Sequence, residues 1–175
     1  MILAGLAIPA KIAGRPAAEP AAQQVAGAAL RSADINIGSL PVLEREQVYI
    51  GTDGQRVTAE RIRGFLVRQR SPMAGYAAHI VAAGMQYGVD PRVVVAIAGV
   101  ESTYGLYSRG YNAWGWNAGK TRWASWETAI DRFTRALGLS YRSLRHGRFA
   151  AASRTYCPPC GKRWGIKALH IFKSI

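Results

Sequence analysis

Acidic side chains are scarce in this chain, with 10 Asp and Glu against 23 Lys and Arg, and the shortage is uneven. Residues 101–175 carry 3 acids against 13 basic residues, whereas residues 1–100 carry 7 against 10. The net charge of +13 attracts polyanions, whether nucleic acid, anionic lipid, or the teichoic and peptide-carboxylate groups of a cell wall. Charge alone does not choose among these, and it also serves solubility. Long apolar runs are missing too. No stretch reaches the roughly 18–20 residues that a bilayer span needs, so the chain reads as soluble and without a transmembrane segment. Met1 to Ala10 has the length of a signal-peptide apolar region, but no basic residue precedes it and Lys11 follows it, which makes half a signal.

Cysteine and histidine are equally sparse, at two and three residues. The cysteines form Cys157-Pro-Pro-Cys160. No βαβ pattern surrounds them, which argues against a thioredoxin-like redox pair, and His146 and His170 lack the spacing of a Cys2His2 zinc site. A disulfide pinning a loop and two free thiols are the readings that remain. Neither a metal nor a cofactor is expected, and no internal repeat is visible.

What is present fits one compact domain with a tail: 175 residues, 49% of them hydrophobic, with alanine-rich apolar stretches that favour helix over sheet. Residues 1 to about 40 are rich in Ala, Gly, Pro and Gln and poor in aromatics. Residues 1–57 therefore read as an irregular tail or linker, a candidate targeting or interaction arm for an assembly partner, and residues 58–175 as the folded domain. Gln47 to Val57 alternates around Asp53-Gly54, the pattern of a small hairpin or extended arm.

From Thr58 the pattern is helical. Thr58 is a cap for Ala59 to Arg70, Ser71-Pro72 starts a helix that Gly88 ends, and Asp90-Pro91 opens an apolar helix that runs to about Tyr104. Leu106 to Trp123 is rich in Gly, Asn, Tyr and Trp, the composition of a cleft wall. Ser125 caps a helix from Trp126 to about Leu144, and shorter helices are expected over 149–155 and 163–175. The architecture is mainly α, around a buried central helix.

In that central helix Glu101 follows Ala98, Ile97 and Val94 by three, four and seven residues and so shares their apolar face. A carboxyl turned inward resists ionisation, and a raised pKa is what a general acid needs near neutral pH. The alternative is a Glu paired with Arg92 or Arg109.

The wording around Glu101 carries a resemblance. Ala96-Ile-Ala-Gly-Val-Glu-Ser-Thr-Tyr-Gly105 resembles the catalytic-helix motif of soluble lytic transglycosylases and goose-type lysozymes. Tyr111-Asn-Ala-Trp-Gly-Trp116 is similar to the partner motif of the wider lysozyme-like superfamily, which includes bacterial endo-β-N-acetylglucosaminidases. Trp123 to Ile130 with Tyr141 to Leu144 resembles the substrate-side helix of that group, and Tyr156 before Pro-Pro-Cys-Gly and Trp164 resembles its closing tyrosine loop. Transglycosylases have Gly-Leu-Met-Gln where this chain has Gly115-Trp-Asn-Ala118.

The resemblance implies a lysozyme-like domain that cleaves the β-1,4 bond between N-acetylmuramic acid and N-acetylglucosamine. Glu101 is then its acid and base, and peptidoglycan glycan is its partner. After Glu101 only Glu127 and Asp131 remain as acids, which fits a one-glutamate mechanism better than a carboxylate pair. Tyr156 is a candidate to hydrogen-bond Glu101 or the reacting sugar, and otherwise a core tyrosine. Ser102 is a candidate contact on the muramic-acid side, and otherwise a surface serine. Asn112 could bind an acetamido group or make a turn. Trp114, Trp116 and Trp123 offer flat faces for sugar rings, at least one of them being core, and Tyr141 is a further candidate for substrate binding. Arg132, Arg135, Arg142, Arg145 and Arg148 lie at helical spacings and read as a solvated, wall-attracting face.

Such an enzyme works outside the cytoplasm, secreted, periplasmic or wall-associated, or travels in a phage virion. The rival readings are a non-catalytic glycan-binding or structural module of a secretion apparatus or virion, and a nucleic-acid binder. No helix-turn-helix, zinc-finger or RNP wording supports the latter, so no specific nucleic-acid partner is expected.

Overall fold

The computed structural model describes residues 46–156 and 161–175, with the side chains of residues 154 and 155 left aside. Two short antiparallel strands, β1 (Val48–Ile50) and β2 (Arg56–Thr58), pair with Tyr49 opposite Val57. Six α-helices follow among the described residues: α1 (Ala59–Arg68), α2 (Ala77–Tyr87), α3 (Pro91–Ser102), α4 (Trp126–Ser140), α5 (Phe149–Tyr156) and α6 (Gly161–Ser174).

Local signals set most helix starts. The Thr58 hydroxyl accepts the Arg61 N–H at 3.1 Å, and α1 then buries Ile62, Phe65 and Leu66 on one face. Asp90 caps α3 by accepting the Arg92 N–H at 3.0 Å, with Pro91 in the first turn where its missing N–H costs nothing. Ser125 caps α4 by accepting the Thr128 N–H at 3.2 Å. Gly88 ends α2 in the left-handed conformation, at φ 63°.

The differences from the expected bounds have physical causes. Ser71-Pro72 does not open α2. The Ser71 hydroxyl donates to the Tyr104 carbonyl at 2.7 Å, and a 3-10 turn over Ala74–Tyr76 intervenes. Helix α3 stops at Ser102 rather than near Tyr104 because Thr103 and Tyr104 both turn left-handed, at φ 52° and 58°. The Tyr104 N–H reaches back to the Ala98 carbonyl at 3.0 Å. Helix α4 stops at Ser140, and Tyr141 to Leu144 peels away into a 3-10 turn.

Helix α3 is the centre of the fold, and every residue from Pro91 to Ala98 is buried. Helices α2, α4 and α6 pack on it, α1 packs on α2, and α5 on α6. The α2 and α4 backbones approach so closely that a Cβ on Gly138 would stand 2.6 Å from the Tyr87 carbonyl oxygen. Ile80, Ile97, Ile130, Phe133 and Leu137 have no exposed surface.

The hairpin packs against α1 and α2. Val57 is fully buried. Asp53, at the turn, receives Arg92 Nη1 at 2.8 Å and Nη2 at 2.9 Å. The same guanidinium reaches buried Asp90 through Nη2 at 2.7 Å, and its carbon lies 4.1 Å from the centre of the Phe172 ring. One arginine thus joins the hairpin, the start of α3 and the end of α6.

The Arg92 hydrogen bonds pull the Asp53 carboxyl down from 3.8 to about 2. A depressed folded-state pKa contributes stability that is complete above the unfolded value and lost as pH falls through the folded one. Asp53→Asn and its parent are therefore expected to differ in urea stability at about pH 5 and to converge toward pH 2. With the Asp53 side chain 45% exposed, solvent screening keeps that difference small. A gap that persists unchanged at low pH would contradict the linkage.

Candidate active site

Glu101 lies in the last turn of α3, half-buried, where the helix gives way to the aromatic loop. Its Oε1 accepts the indole N–H of Trp164 at 2.8 Å. Burial raises the Glu101 pKa, and the indole bond, which favours the charged form, works against that rise. The other oxygen, Oε2, faces Gly115, where a Cβ would come within 3.4 Å of it. Gly115 sits at φ +64°, a conformation that favours glycine.

Trp164, on α6, is buried and stacks on Tyr156, with ring centres 4.9 Å apart at 25°. Tyr156, the last residue of α5, donates its hydroxyl to the Trp114 carbonyl at 3.3 Å. Tyr141 meets the Tyr156 ring edge-on at 5.6 Å. Burial, then the Glu101 charge, then Tyr141 push the Tyr156 phenol well above its ordinary pKa, so it remains a neutral donor. Glu101, Gly115, Tyr141, Tyr156 and Trp164 therefore form one connected wall, built from α3, α5, α6, the aromatic loop and the segment after α4.

The other sequence candidates lie elsewhere or point inward. Ser102 is 6% exposed, and its hydroxyl donates to the Ala113 carbonyl at 2.7 Å while accepting the Gly105 N–H at 2.9 Å. It is neither a surface serine nor an open ligand but a clip between α3 and the loop. Asn112 makes the turn: its Oδ1 accepts the Trp116 N–H at 2.9 Å, and its amide donates to the Trp116 and Thr121 carbonyls. Trp114 is core, 2% exposed, stacked on Phe133 at 4.5 Å and donating to the Val94 carbonyl. Trp116 and Trp123 are half-buried and keep part of their surface in solvent. Ser102→Ala should destabilise the domain by about 1–3 kcal/mol, because the Ala113 carbonyl and Gly105 N–H lose a buried partner. Chemical denaturation would measure this, and a loss under about 0.5 kcal/mol would contradict the clip.

Neither arginine considered as a partner for Glu101 pairs with it. The ion pairs among the described residues are Arg92 with Asp53 and with Asp90, and Arg109 is exposed. Asp131 accepts the Tyr87 hydroxyl at 2.7 Å, and Glu127 is exposed in the first turn of α4. Arg132, Arg135, Arg142 and Arg148 are exposed, while Arg145 bonds back to the Gly138 carbonyl. Among the described residues, no group of three or more His, Cys, Asp and Glu side chains converges as a metal site would. Cys157 and Cys160 lie outside the described residues.

Residues 55–134 match the Transglycosylase SLT domain family. The match bears out the resemblance to the lysozyme-like superfamily and assigns the mainly α fold to the lysozyme-like class. It indicates a transglycosylase-like function related to peptidoglycan. The SLT match begins in the hairpin and ends within α4, so it takes in Glu101, Ser102, Asn112, Trp114 and Trp116. Tyr141, Tyr156 and Trp164 lie beyond it, contributed by the C-terminal part of the chain. No curated protein and no solved structure matches this chain.

Sequence reasoning missed Trp164 as the partner of Glu101, naming it only as a neighbour of the closing loop. A signal was available in its spacing: Trp164, Ala168 and Phe172 recur every four residues and form the buried stripe of α6.

Proposed function

We propose that this SLT domain cleaves the β-1,4 glycosidic bond between N-acetylmuramic acid and N-acetylglucosamine in peptidoglycan, with Glu101 as both acid and base. The observation that carries this reading is the half-buried carboxyl of Glu101, ionisation-resistant by burial, held by an indole N–H and facing a side-chain-free glycine. Neutral Glu101 gives its proton to the bridging oxygen as the bond from the muramic-acid anomeric carbon to that oxygen breaks. The N-acetylglucosamine leaves with a restored 4-hydroxyl. The carboxylate then takes a proton from the muramic-acid 6-hydroxyl while its oxygen bonds to the anomeric carbon, closing a 1,6-anhydro ring; attack by water instead gives hydrolysis.

One feature favours the one-carboxylate route: Asp131 is engaged by Tyr87. Tyr156, kept neutral by burial and by the Glu101 charge, can donate to the reacting sugar by turning its one O–H away from the Trp114 carbonyl. Trp116, Trp123 and Tyr141 are the half-buried rings with faces available for sugar stacking. The substrate places the site of action outside the cytoplasm or with a phage particle. Among the described residues, no single helix is long and apolar enough to cross a membrane. The net charge of +13 would draw the domain to an anionic wall.

The test is mass spectrometry of soluble fragments released from purified peptidoglycan by the parent chain and by Glu101→Gln. Fragments ending in 1,6-anhydro-muramic acid, absent with the variant, establish a transglycosylase. Reducing muramic-acid ends mean a hydrolase at the same bond. Release of nothing by folded parent protein across several wall types would sink the enzymatic reading in favour of a glycan-binding or structural module.

A further inference from the structure

The two oxygens of the Glu101 carboxyl have unlike surroundings. Oε1 meets the Trp164 indole N–H at 2.8 Å, and Oε2 faces the bare backbone of Gly115. An indole N–H donates and has no lone pair with which to accept, so a proton on neutral Glu101 cannot lie between Oε1 and that nitrogen. We propose that Trp164 is a positioning residue that fixes which oxygen handles the proton. Oε1 remains the acceptor of the indole bond in both charge states, and Oε2, above Gly115, releases the proton to the leaving sugar and recovers one afterwards. The proposal rests on the reading of Glu101 as acid and base.

The indole is built to stay where it is. It is 4% exposed, stacked on Tyr156 at 4.9 Å and in edge contact with Phe149 at 6.1 Å. Tyr156 in turn donates to the carbonyl of Trp114, the residue that precedes Gly115, so one chain of contacts sets both sides of the carboxyl. Helix α6 is fastened to α3 at two points, through Trp164 on Glu101 and through Phe172 beneath Arg92. Carboxyl rotation, which would exchange the roles of the two oxygens, breaks the indole bond on the way and, in the neutral acid, ends with the hydroxyl oxygen, a poorer acceptor than the carbonyl oxygen, against the indole N–H.

The groups that face Glu101 are Trp164 from α6, Tyr156 from α5 with Tyr141 behind it, and Gly115 from the loop. Among the described residues none of these carries a fixed charge. The indole bond is therefore the main influence opposing burial, and its removal should raise the Glu101 pKa further.

The experiment has one arm without substrate and one with it. In the parent chain, the Trp164 indole N–H resonance, assigned by its loss in Trp164→Phe, should move with pH at the midpoint of the Glu101 carboxyl carbon. In Glu101→Gln it should stay flat. Trp164→Phe keeps a ring against Tyr156 but removes the donor, so the Glu101 midpoint should rise by about one pH unit. The alkaline limb of the cleavage profile, which reports loss of the acid, should rise with it. An indole resonance that ignores the Glu101 titration, or a Glu101 midpoint in folded Trp164→Phe that stays or falls, overturns the proposal. If the variant does not fold, the parent and Glu101→Gln titrations decide alone. Because the midpoints are read without substrate, failure of the parent chain to cleave glycan would overturn the proposed function alone. An unchanged midpoint in an active variant would overturn the positioning role alone.

Discussion

Glu101→Gln should lower the rate of glycan release about a thousandfold or more and leave the fold at least as stable as its parent. The rate effect follows from removing the proton that the leaving sugar needs, since acid–base groups contribute about 10²–10⁴. The stability effect has the opposite sign for a local reason. Burial disfavours the Glu101 carboxylate, and a neutral amide avoids that cost while its oxygen can still accept the Trp164 N–H at the place of Oε1. Turbidity loss of purified sacculi measures the first, and thermal unfolding the second. A folded variant that retains a tenth or more of the parental rate would remove Glu101 from the chemistry. A variant that melts well below its parent would show that the charged form has a structural role here.

The largest loss of stability is expected at Arg92. Arg92→Met keeps the aliphatic stem but leaves Asp90, 1% exposed, without the guanidinium that holds it, and frees Asp53 at the hairpin turn. Breaking one half of a buried pair costs about 3–5 kcal/mol, because the other charge remains buried and unpaired. For a chain of this size that corresponds to a fall in melting temperature of about 6–20 °C. Adding Asp90→Asn to Arg92→Met should recover a substantial part of the loss, since the stranded charge goes with it. A single variant that loses less than about 1 kcal/mol would show that water reaches Asp90. The wall around Glu101 should feel this change too, because Arg92 also sits over Phe172 on the helix that carries Trp164.

Much of the site was legible because its first element is local. The inward face of Glu101 follows from its spacing to Ala98, Ile97 and Val94, and its burial raises its pKa as that spacing implied. The aromatic loop was recognisable by composition, and it does carry Gly115 to the carboxyl. The division of labour within the loop was not recognisable. Trp114 and Trp116 are two residues apart and equally suited to sugar stacking on paper, yet Trp114 lies on Phe133 in the core and Trp116 keeps part of its surface. Asn112 and Ser102 likewise have chemistry that suits a ligand, and the structure uses both on backbone groups of the aromatic loop.

By itself the sequence determined the helical character of the domain, three helix caps and the inward acid, because those depend on partners within about four residues: Thr58 on Arg61, Asp90 on Arg92, Ser125 on Thr128. Tertiary structure alone decided what completes the acid. The Trp164 indole bond spans 63 residues of chain, the Tyr156 bond to Trp114 spans 42, and the Arg92 bridge to Asp53 spans 39. The four-residue stripe of α6 marks Trp164 as buried but not as the partner of Glu101, because contacts at such separations depend on how whole helices pack and which rotamers that packing permits.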